Sequence, residues 1–436
     1  MTLSIALLTY STKPRGGVVH TLCLAEALAA AGQDVTLWTL GRGGDTGFFR
    51  TVDPAVRQVI VPFPDVDGED VGTRILRSIA TLRAAFDPSR YDVVHAQDCI
   101  SANAVDRCVR TVHHIDHFST PELATCHERA IVTPYAHVCV SAAVARELHE
   151  GWGINATTIP NGVDSHRFAA AAGGDPAAVR ARERWRARFG RFALAVGGIE
   201  PRKGSLELLD TYALLHRDDP DLRLIIAGGE TLFDYHDYRA QWEKRAKLLD
   251  LEPVVLGPVG HDDLPSLVAS ATVFAFPSTK EGFGLAAMEA LAAGVPVVAR
   301  DLPVLREVFG TAARFGTDAH GLANEMRHAM AHPEPRRRAA GQSLAASLTW
   351  QAAAHRHLTL YRALAMSFNV SREYLQVIPV GEPRPAARHR SRPPAPTPVP
   401  APEHGPPATE PARHRPHQTA PATRSGSEAT APNSSA

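Results

Sequence analysis

Short apolar runs alternate with helical patterns along most of the chain. Residues 3–8 form a run with the length and composition of a buried strand. After Gly16-Gly17, residues 19–31 place Leu22, Ala25, Leu28 and Ala29 at three- and four-residue spacing, which predicts a helix stopped by Gly32. Residues 35–40 read as the next strand. Tyr91-Asp92-Val93-Val94-His95 and Arg110-Thr111-Val112-His113 read as later strands, each ending in histidine. Val138-Cys139-Val140 reads as another, leading into a helix at Ser141. Strands that alternate with helices in this way predict a doubly wound parallel sheet.

The pattern then restarts. Residues 192–196 predict a strand, followed by Gly197-Gly198-Ile199-Glu200-Pro201-Arg202-Lys203-Gly204 and a helix from Ser205. Residues 222–227 predict a strand ending in Gly228-Gly229. Val254-Val255-Leu256, Val273-Phe274-Ala275-Phe276 and residues 295–299 predict three more, and residues 350–364 a last amphipathic helix. The break between the two α/β domains falls within 161–190, after Pro160-Asn161-Gly162-Val163-Asp164. Two such domains leave a cleft between the carboxyl ends of their sheets, where these folds place ligands.

Composition narrows the function. The 436 residues are enough for two domains and extra segments. Lys+Arg and Asp+Glu both count 46, which excludes the basic excess of a dedicated nucleic-acid binder. Only Lys13, Lys203, Lys244, Lys247 and Lys280 are lysines, so each stands out among the arginines. With the abundant alanine this points to a bacterial, GC-rich source. Cys23, Cys99, Cys108, Cys126 and Cys139 are odd in number and form no CxxC, which predicts reduced thiols in a cytoplasmic protein. No apolar run approaches the ~18–20 residues needed to cross a bilayer. The apolar start runs into Lys13-Pro14-Arg15 without a basic leader, so it predicts a first strand and not a signal peptide. Residues 382–436 hold 14 of the 34 prolines and no Ile, Leu, Met, Phe, Tyr or Trp. This predicts a disordered tail, either simply solvated or a weak anchor for an anionic surface or a partner.

The most specific chemistry lies in Glu281-Gly282-Phe283-Gly284-Leu285-Ala286-Ala287-Met288-Glu289. A strand ends, Pro277-Ser278 turns the chain, and a glycine loop opens a helix. Free N–H groups and the positive dipole end at such a start suit an anion, and Gly282 and Gly284 let a phosphate approach the backbone. Glu289 lies about five residues in, or ~7–8 Å along the axis, roughly the span from a diphosphate to a ribose. Glu281 lies on the opposite side, where a sugar would sit. Taken singly, Glu281 is a solvated loop residue and Glu289 a surface charge; the pair with both glycines points to function.

Pro201-Arg202-Lys203-Gly204 puts two cations at another helix start, able to neutralise a leaving diphosphate without a metal. Gly16-Gly17 offers a further phosphate cradle, although it is not a GxGxxG. The cluster at 41–47 has no helix behind it, which argues against a nicotinamide site. His113-His114-Ile115-Asp116-His117 follows a strand end and faces the cleft, where hydrogen bonding to a sugar hydroxyl competes with a zinc site near Cys126 and His127. No HExxH or paired CxxC supports zinc. No GxSxG elbow supports a hydrolase triad. Asp65-Val66-Asp67 reads as a solvated turn.

Together, Gly16-Gly17, Thr111-Val112-His113, Ile159-Pro160-Asn161-Gly162-Val163-Asp164, Pro201-Arg202-Lys203-Gly204 and Glu281-x7-Glu289 resemble the retaining glycosyltransferases of family 4, over roughly residues 1–365. Pro277-Ser278 and Gly294-Val295-Pro296-Val297-Val298-Ala299 also match. The resemblance implies the GT-B fold: an acceptor-side Rossmann-like domain over 1–165, a nucleotide-sugar-binding one over 175–348, and a helix over 349–372 that crosses back. It implies that Glu289 binds the donor ribose. Glu281, Phe283 and Gly284 face the sugar, and the Leu285 amide lies near the phosphates. Lys203 neutralises the diphosphate, Gly17 lies near the phosphates or acceptor, and His113 contacts the transferred sugar. Relatives usually carry Gly-Arg after the second domain's first strand; here the run is Gly197-Gly198. That departure leaves Arg202 as the substitute cation and favours a variant donor or an impaired enzyme.

The implied activity is metal-independent, retaining transfer of a hexosyl group from a UDP-, GDP- or ADP-sugar to an acceptor hydroxyl, with no cofactor. Front-face attack would have the leaving phosphate oxygen take the acceptor proton. The acceptor is open between a glycan, a lipid and a small metabolite, with weak peripheral membrane association conceivable and nucleic acid excluded. The alternatives are a nucleotide-sugar 2-epimerase and a non-catalytic nucleotide-sugar-binding protein.

Overall fold

The computed structural model describes residues 2–116, 121–229 and 235–377. His117 and the proline-rich segment expected to be disordered lie outside them. The first sheet begins with β1 (Ser4–Leu8) and β2 (Asp34–Arg42), whose interiors are buried on both faces, as expected of parallel strands covered by helices. It continues with β3 (Arg57–Phe63), β4 (Val93–Ala96), β5 (Val109–Val112), β6 (Ala136–Cys139) and β7 (Thr157–Thr158), in the spatial order β3-β2-β1-β4-β5-β6-β7. Every pairing is parallel, with Ile5 opposite both Val35 and Val93.

The second sheet repeats this winding. It contains β8 (Phe192–Val196), β9 (Arg223–Ala227), β10 (Val254–Gly257), β11 (Val273–Phe276), β12 (Val297–Arg300) and β13 (Arg314–Gly316), ordered β10-β9-β8-β11-β12-β13. The strand order reverses between β1 and β4 in one sheet and between β8 and β11 in the other. Those two reversals are where doubly wound sheets open a crevice.

Strand alternation divides the side chains between two faces. Ile5 and Leu7 face helix α1 (Gly16–Ala30), while Ala6 and Leu8 pack on the other side with Phe63 and with Leu82 of α2 (Val71–Ala85). In the second sheet Phe192 and Leu194 pack with Phe168 of α3 (Ser165–Ala172) and with Ala287 and Met288 of α5 (Leu285–Ala292). Ala193 packs instead with Leu208 and Leu209 of α4 (Ser205–Asp218).

The closing helix α6 (Trp350–Val377) belongs to the first domain's core. Its Trp350, Ala353, Ala354, Leu358 and Tyr361 join Ile5, Leu22 and Leu28. The chain therefore crosses between domains twice, and the crossings touch. The Val163 amide donates to the Leu348 carbonyl at 2.7 Å, and a Cβ on Gly162 would lie 2.4 Å from the Trp350 nitrogen. Residues through Val377 form one compact unit. All five cysteines are free thiols. Among the described residues, no helix is long and apolar enough to cross a membrane.

Candidate active site

In the first domain, α1 starts at Gly16 after the loop 9–15 that follows β1, with no side-chain hydrogen bond from its N-cap residue. Its first-turn N–H groups therefore point into the crevice without a partner from the chain's own cap. Gly16 is exposed, and a Cβ there would meet nothing within 4 Å; at Gly17 it would sit 3.7 Å from the His113 ring. His113 follows β5. It is half-buried, and its Nε2 is shielded from solvent and has no hydrogen-bond partner among the described residues. Burial pushes its pKa well below the imidazole range, and His20 and Arg110 push the same way, so the ring is neutral. Beside it, His114 Nε2 lies 3.1 Å from the Asp116 carboxylate.

In the second domain, the loop after β8 and the loop after β11 interlock. Gly197 has φ of 144° and faces the Lys203 stem, where a Cβ would lie 3.3 Å from Cε. Gly204 is left-handed at φ 65°, and a Cβ there would lie 2.2 Å from the Pro277 carbonyl oxygen. The Thr279 amide donates to the Arg202 carbonyl at 2.8 Å. These contacts bring the cations of one loop to the carboxylate of the other. Lys203 Nζ donates to Glu281 Oε1 at 2.5 Å, and Arg202 bridges Glu281 at 3.3 Å and Glu200 at 3.1 Å. Burial works to raise the Glu281 carboxyl, but the Lys203 and Arg202 charges outweigh it and hold it down at about 2. Its Oε2 accepts no hydrogen bond among the described residues.

Gly282 joins the two halves. A Cβ there would fall 1.6 Å from the His113 carbonyl oxygen, so only glycine allows this approach. Phe283 is buried. Gly284, at φ 91°, opens α5 without a side-chain cap. On α5, Leu285, Ala286 and Glu289 form the less buried face, and Leu285 packs against both domains' cores. Burial raises the Glu289 carboxyl to about 7, opposed by Arg167 and reinforced by Asp164.

Thus Gly17, His113, Arg202, Lys203, Glu281, Phe283, Gly284 and Leu285 meet around the two helix starts, while Glu289 lies further along α5 beside Asp164 and Arg167. Asp116, Glu200 and Arg167 complete the charges and were not singled out for a role from sequence. Asp164 lay within the Pro-Asn-Gly-Val-Asp run, but nothing in the sequence marks Arg167. The place after Gly197 carries no cation, and Arg202 is already held by two carboxylates.

Residues 14–167 match the family model described as Glycosyltransferase Family 4, and residues 182–343 the one described as Glycosyl transferases group 1. A phosphatidyl-myo-inositol mannosyltransferase of Mycolicibacterium smegmatis is 31% identical over 346 residues, covering 72% of this chain and 81% of that protein. The chain belongs to glycosyltransferase family 4. The phosphatidyl-myo-inositol mannosyltransferase of Propionibacterium freudenreichii is 25% identical over 394 residues, covering 83% of this chain and 95% of its own length. Among solved structures, the sucrose-phosphate synthase of Thermosynechococcus elongatus superposes with a TM-score of 0.67 at 21% identity, over 84% of this chain and all of that one. That likeness establishes the two-domain GT-B fold. The glycosyltransferase transfers a hexosyl group from a nucleotide-sugar donor.

Proposed function

We propose that this glycosyltransferase acts with retention and without a metal ion, passing a hexosyl group to a hydroxyl of an anionic acceptor. The carrying observation is the cluster of Lys203, Arg202 and Glu281 against His113, between two uncapped helix starts. Lys203 has three N–H donors and uses one on Glu281, so it can serve the donor diphosphate as well. The amides of α1 and α5 add hydrogen bonds where charge grows on the leaving phosphate. Glu289 takes the ribose hydroxyls. His113 meets the sugar as a neutral hydrogen-bonding group.

Glu281 is clamped by two cations, which makes it a weak nucleophile. A covalent glycosyl intermediate of the kind formed by retaining hydrolases is therefore disfavoured. The acceptor hydroxyl instead attacks from the face that the diphosphate leaves. The carbon–oxygen bond to phosphate breaks, the new one forms, and the leaving phosphate oxygen takes the acceptor proton. The free Oε2 of Glu281 orients sugar hydroxyls and offsets positive charge on the ring. Mannosyl is the first sugar to test, because both relatives are mannosyltransferases.

The anionic acceptor is supported by arginines at the first sheet's carboxyl edge. Arg42 hydrogen-bonds Ser78 and the Tyr10 carbonyl and lies over the Phe63 ring, and Arg74 has a buried Nε without a hydrogen-bond partner among the described residues. Neither forms an ion pair among the described residues. Arg42 and Arg15 both lie over the Tyr10 ring. Burial lowers Arg42 to about 10; Arg74 and Arg15 push the same way, against Tyr10 and Asp98.

The test is a titration of the full chain with UDP-, GDP- and ADP-mannose and -glucose, reading heat and free nucleoside diphosphate. A phosphorylated polyol and its unphosphorylated form serve as acceptors. One donor should saturate, release should be slow alone, and the phosphorylated acceptor should speed it. Lys203→Ala and Glu281→Ala should stay folded and lose ~10²–10³-fold in release. Near-normal rates in both would remove them from the site. An altered sugar still joined to its nucleotide would mean an epimerase. Binding without release would mean a non-catalytic binder.

A further inference from the structure

Behind the candidate site, the buried His20, His95 and His357 cluster with the half-buried His113 where the domain crossings meet. His20, on the third position after Gly17 in α1, is 1% exposed, and its ring touches three different elements. Its Nδ1 lies 2.9 Å from Asn161 Oδ1 on the outgoing crossing. A carbonyl oxygen can only accept, so Nδ1 carries the proton and Nε2 is a bare lone pair. The ring stands edge-on to Trp350, on the returning crossing, at 5.3 Å. It also stands edge-on to His113 at 4.8 Å, nearly perpendicular. His357 of α6 closes the back at 6.4 Å. Three of these rings, His20, His113 and His357, keep a buried Nε2 with no hydrogen-bond partner among the described residues. The fourth, His95, is satisfied at both nitrogens by Tyr361 and Thr111.

Two features of this arrangement matter. First, the His113 ring has no hydrogen bond among the described residues, so its orientation is set by packing against His20 on one side and Gly17 on the other. Second, His20 is tethered to Asn161, and Asn161 is contiguous with Gly162, which packs against Trp350. A single side chain thus touches the outgoing crossing, the returning crossing and the sugar-facing histidine.

We propose that His20 is a positioning residue that aims the His113 imidazole into the cleft and makes its orientation depend on how the two domain crossings are seated. This rests on His113 contacting the transferred sugar. His20 itself touches no substrate. Its loss should therefore appear in turnover and in the state of His113, and not in the grip on the nucleotide, which comes from Lys203, Glu289 and the helix starts.

Two substitutions in the full chain separate these effects. His20→Leu fills the space but leaves Asn161 without a donor. His20→Gln restores an N–H toward Asn161 and a flat edge toward His113. For each, circular dichroism checks folding, titration gives the nucleoside-diphosphate affinity, release gives kcat, and carbethoxylation of His113 read by peptide mass reports its shielding. His20→Leu should keep nucleotide affinity within threefold, lower kcat at least tenfold and raise His113 labelling at least fivefold. His20→Gln should recover most of both. If His20→Leu fails to fold, Asn161→Ala removes the same tether from the other end and should give the same pattern. Unchanged kcat and labelling in the folded variant would overturn the proposal, as would a loss of nucleotide affinity in step with kcat. If the unaltered chain releases nothing from any donor, the reading of the site fails separately, and His113 labelling alone still decides whether His20 holds it.

Discussion

The two glutamates of the site titrate in opposite directions, for reasons visible around each. Glu281 is raised by burial but lowered further by Lys203 and Arg202, to about 2 from an ordinary 4.5. Its contribution to stability is complete above pH 4.5 and is lost as pH falls toward 2. Glu289 is raised to about 7, mainly by burial. The unfolded chain loses that proton first, so the stability tied to Glu289 declines as pH rises from 4.5 to 7. Ribose hydroxyls bind better to a carboxylate than to a neutral acid. Donor affinity measured by calorimetry should therefore rise between pH 6 and 8, by about tenfold for each unit that binding lowers the Glu289 pKa. Glu289→Gln should bind more weakly at pH 8 and show a flat profile; a slope surviving in that variant would assign the titration elsewhere. The spacing of Glu281 and Glu289 was legible in the sequence. The partners that pull them apart were less so, because Arg167 and Asp164 come to Glu289 only when α3 packs beside α5 in the second domain's core, a pairing that residue order does not encode.

At the scale of elements, the turn at Gly204 joins cation to carboxylate. Its left-handed backbone and the Pro277 carbonyl, 2.2 Å from where a Cβ would be, leave no room for a side chain. Gly204→Ala should cost roughly 1–3 kcal/mol in urea melts and also displace Lys203, so release should slow beyond what the stability loss explains. Equal slowing by a matched destabilising change in the second domain's core would count against that coupling. The apolar runs announced most of the strands, since parallel strands buried on both faces carry unbroken hydrophobic sequence. Three strands escaped that reading, among them the two-residue β7. β3, on the sheet's edge, contains Pro62 and is mostly half-exposed, and β13 is three residues long. α1 begins at Gly16 and not at 19, because glycines in a first turn show no apolar period. α6 runs beyond 364, to Val377.

Over the whole molecule, the first domain's core depends on the chain's far end. Leu358 on α6 contributes about 1.5–3 kcal/mol by burial, and Tyr361 supplies the hydroxyl bound to His95 at 2.6 Å. A chain ended at residue 348 should therefore lose amide-exchange protection in β1 and β4 while β8 and β11 keep theirs. Uniform protection, or a loss confined to the second sheet, would contradict that division. The same arrangement sets an order of assembly. During synthesis the first domain emerges well before the helix that completes it, and at about 5–20 residues per second the intervening second domain takes roughly 10–40 s to appear. For that interval the nascent chain displays the apolar face of α1 uncovered. The second domain, closed within its own stretch of sequence, can finish folding before the first.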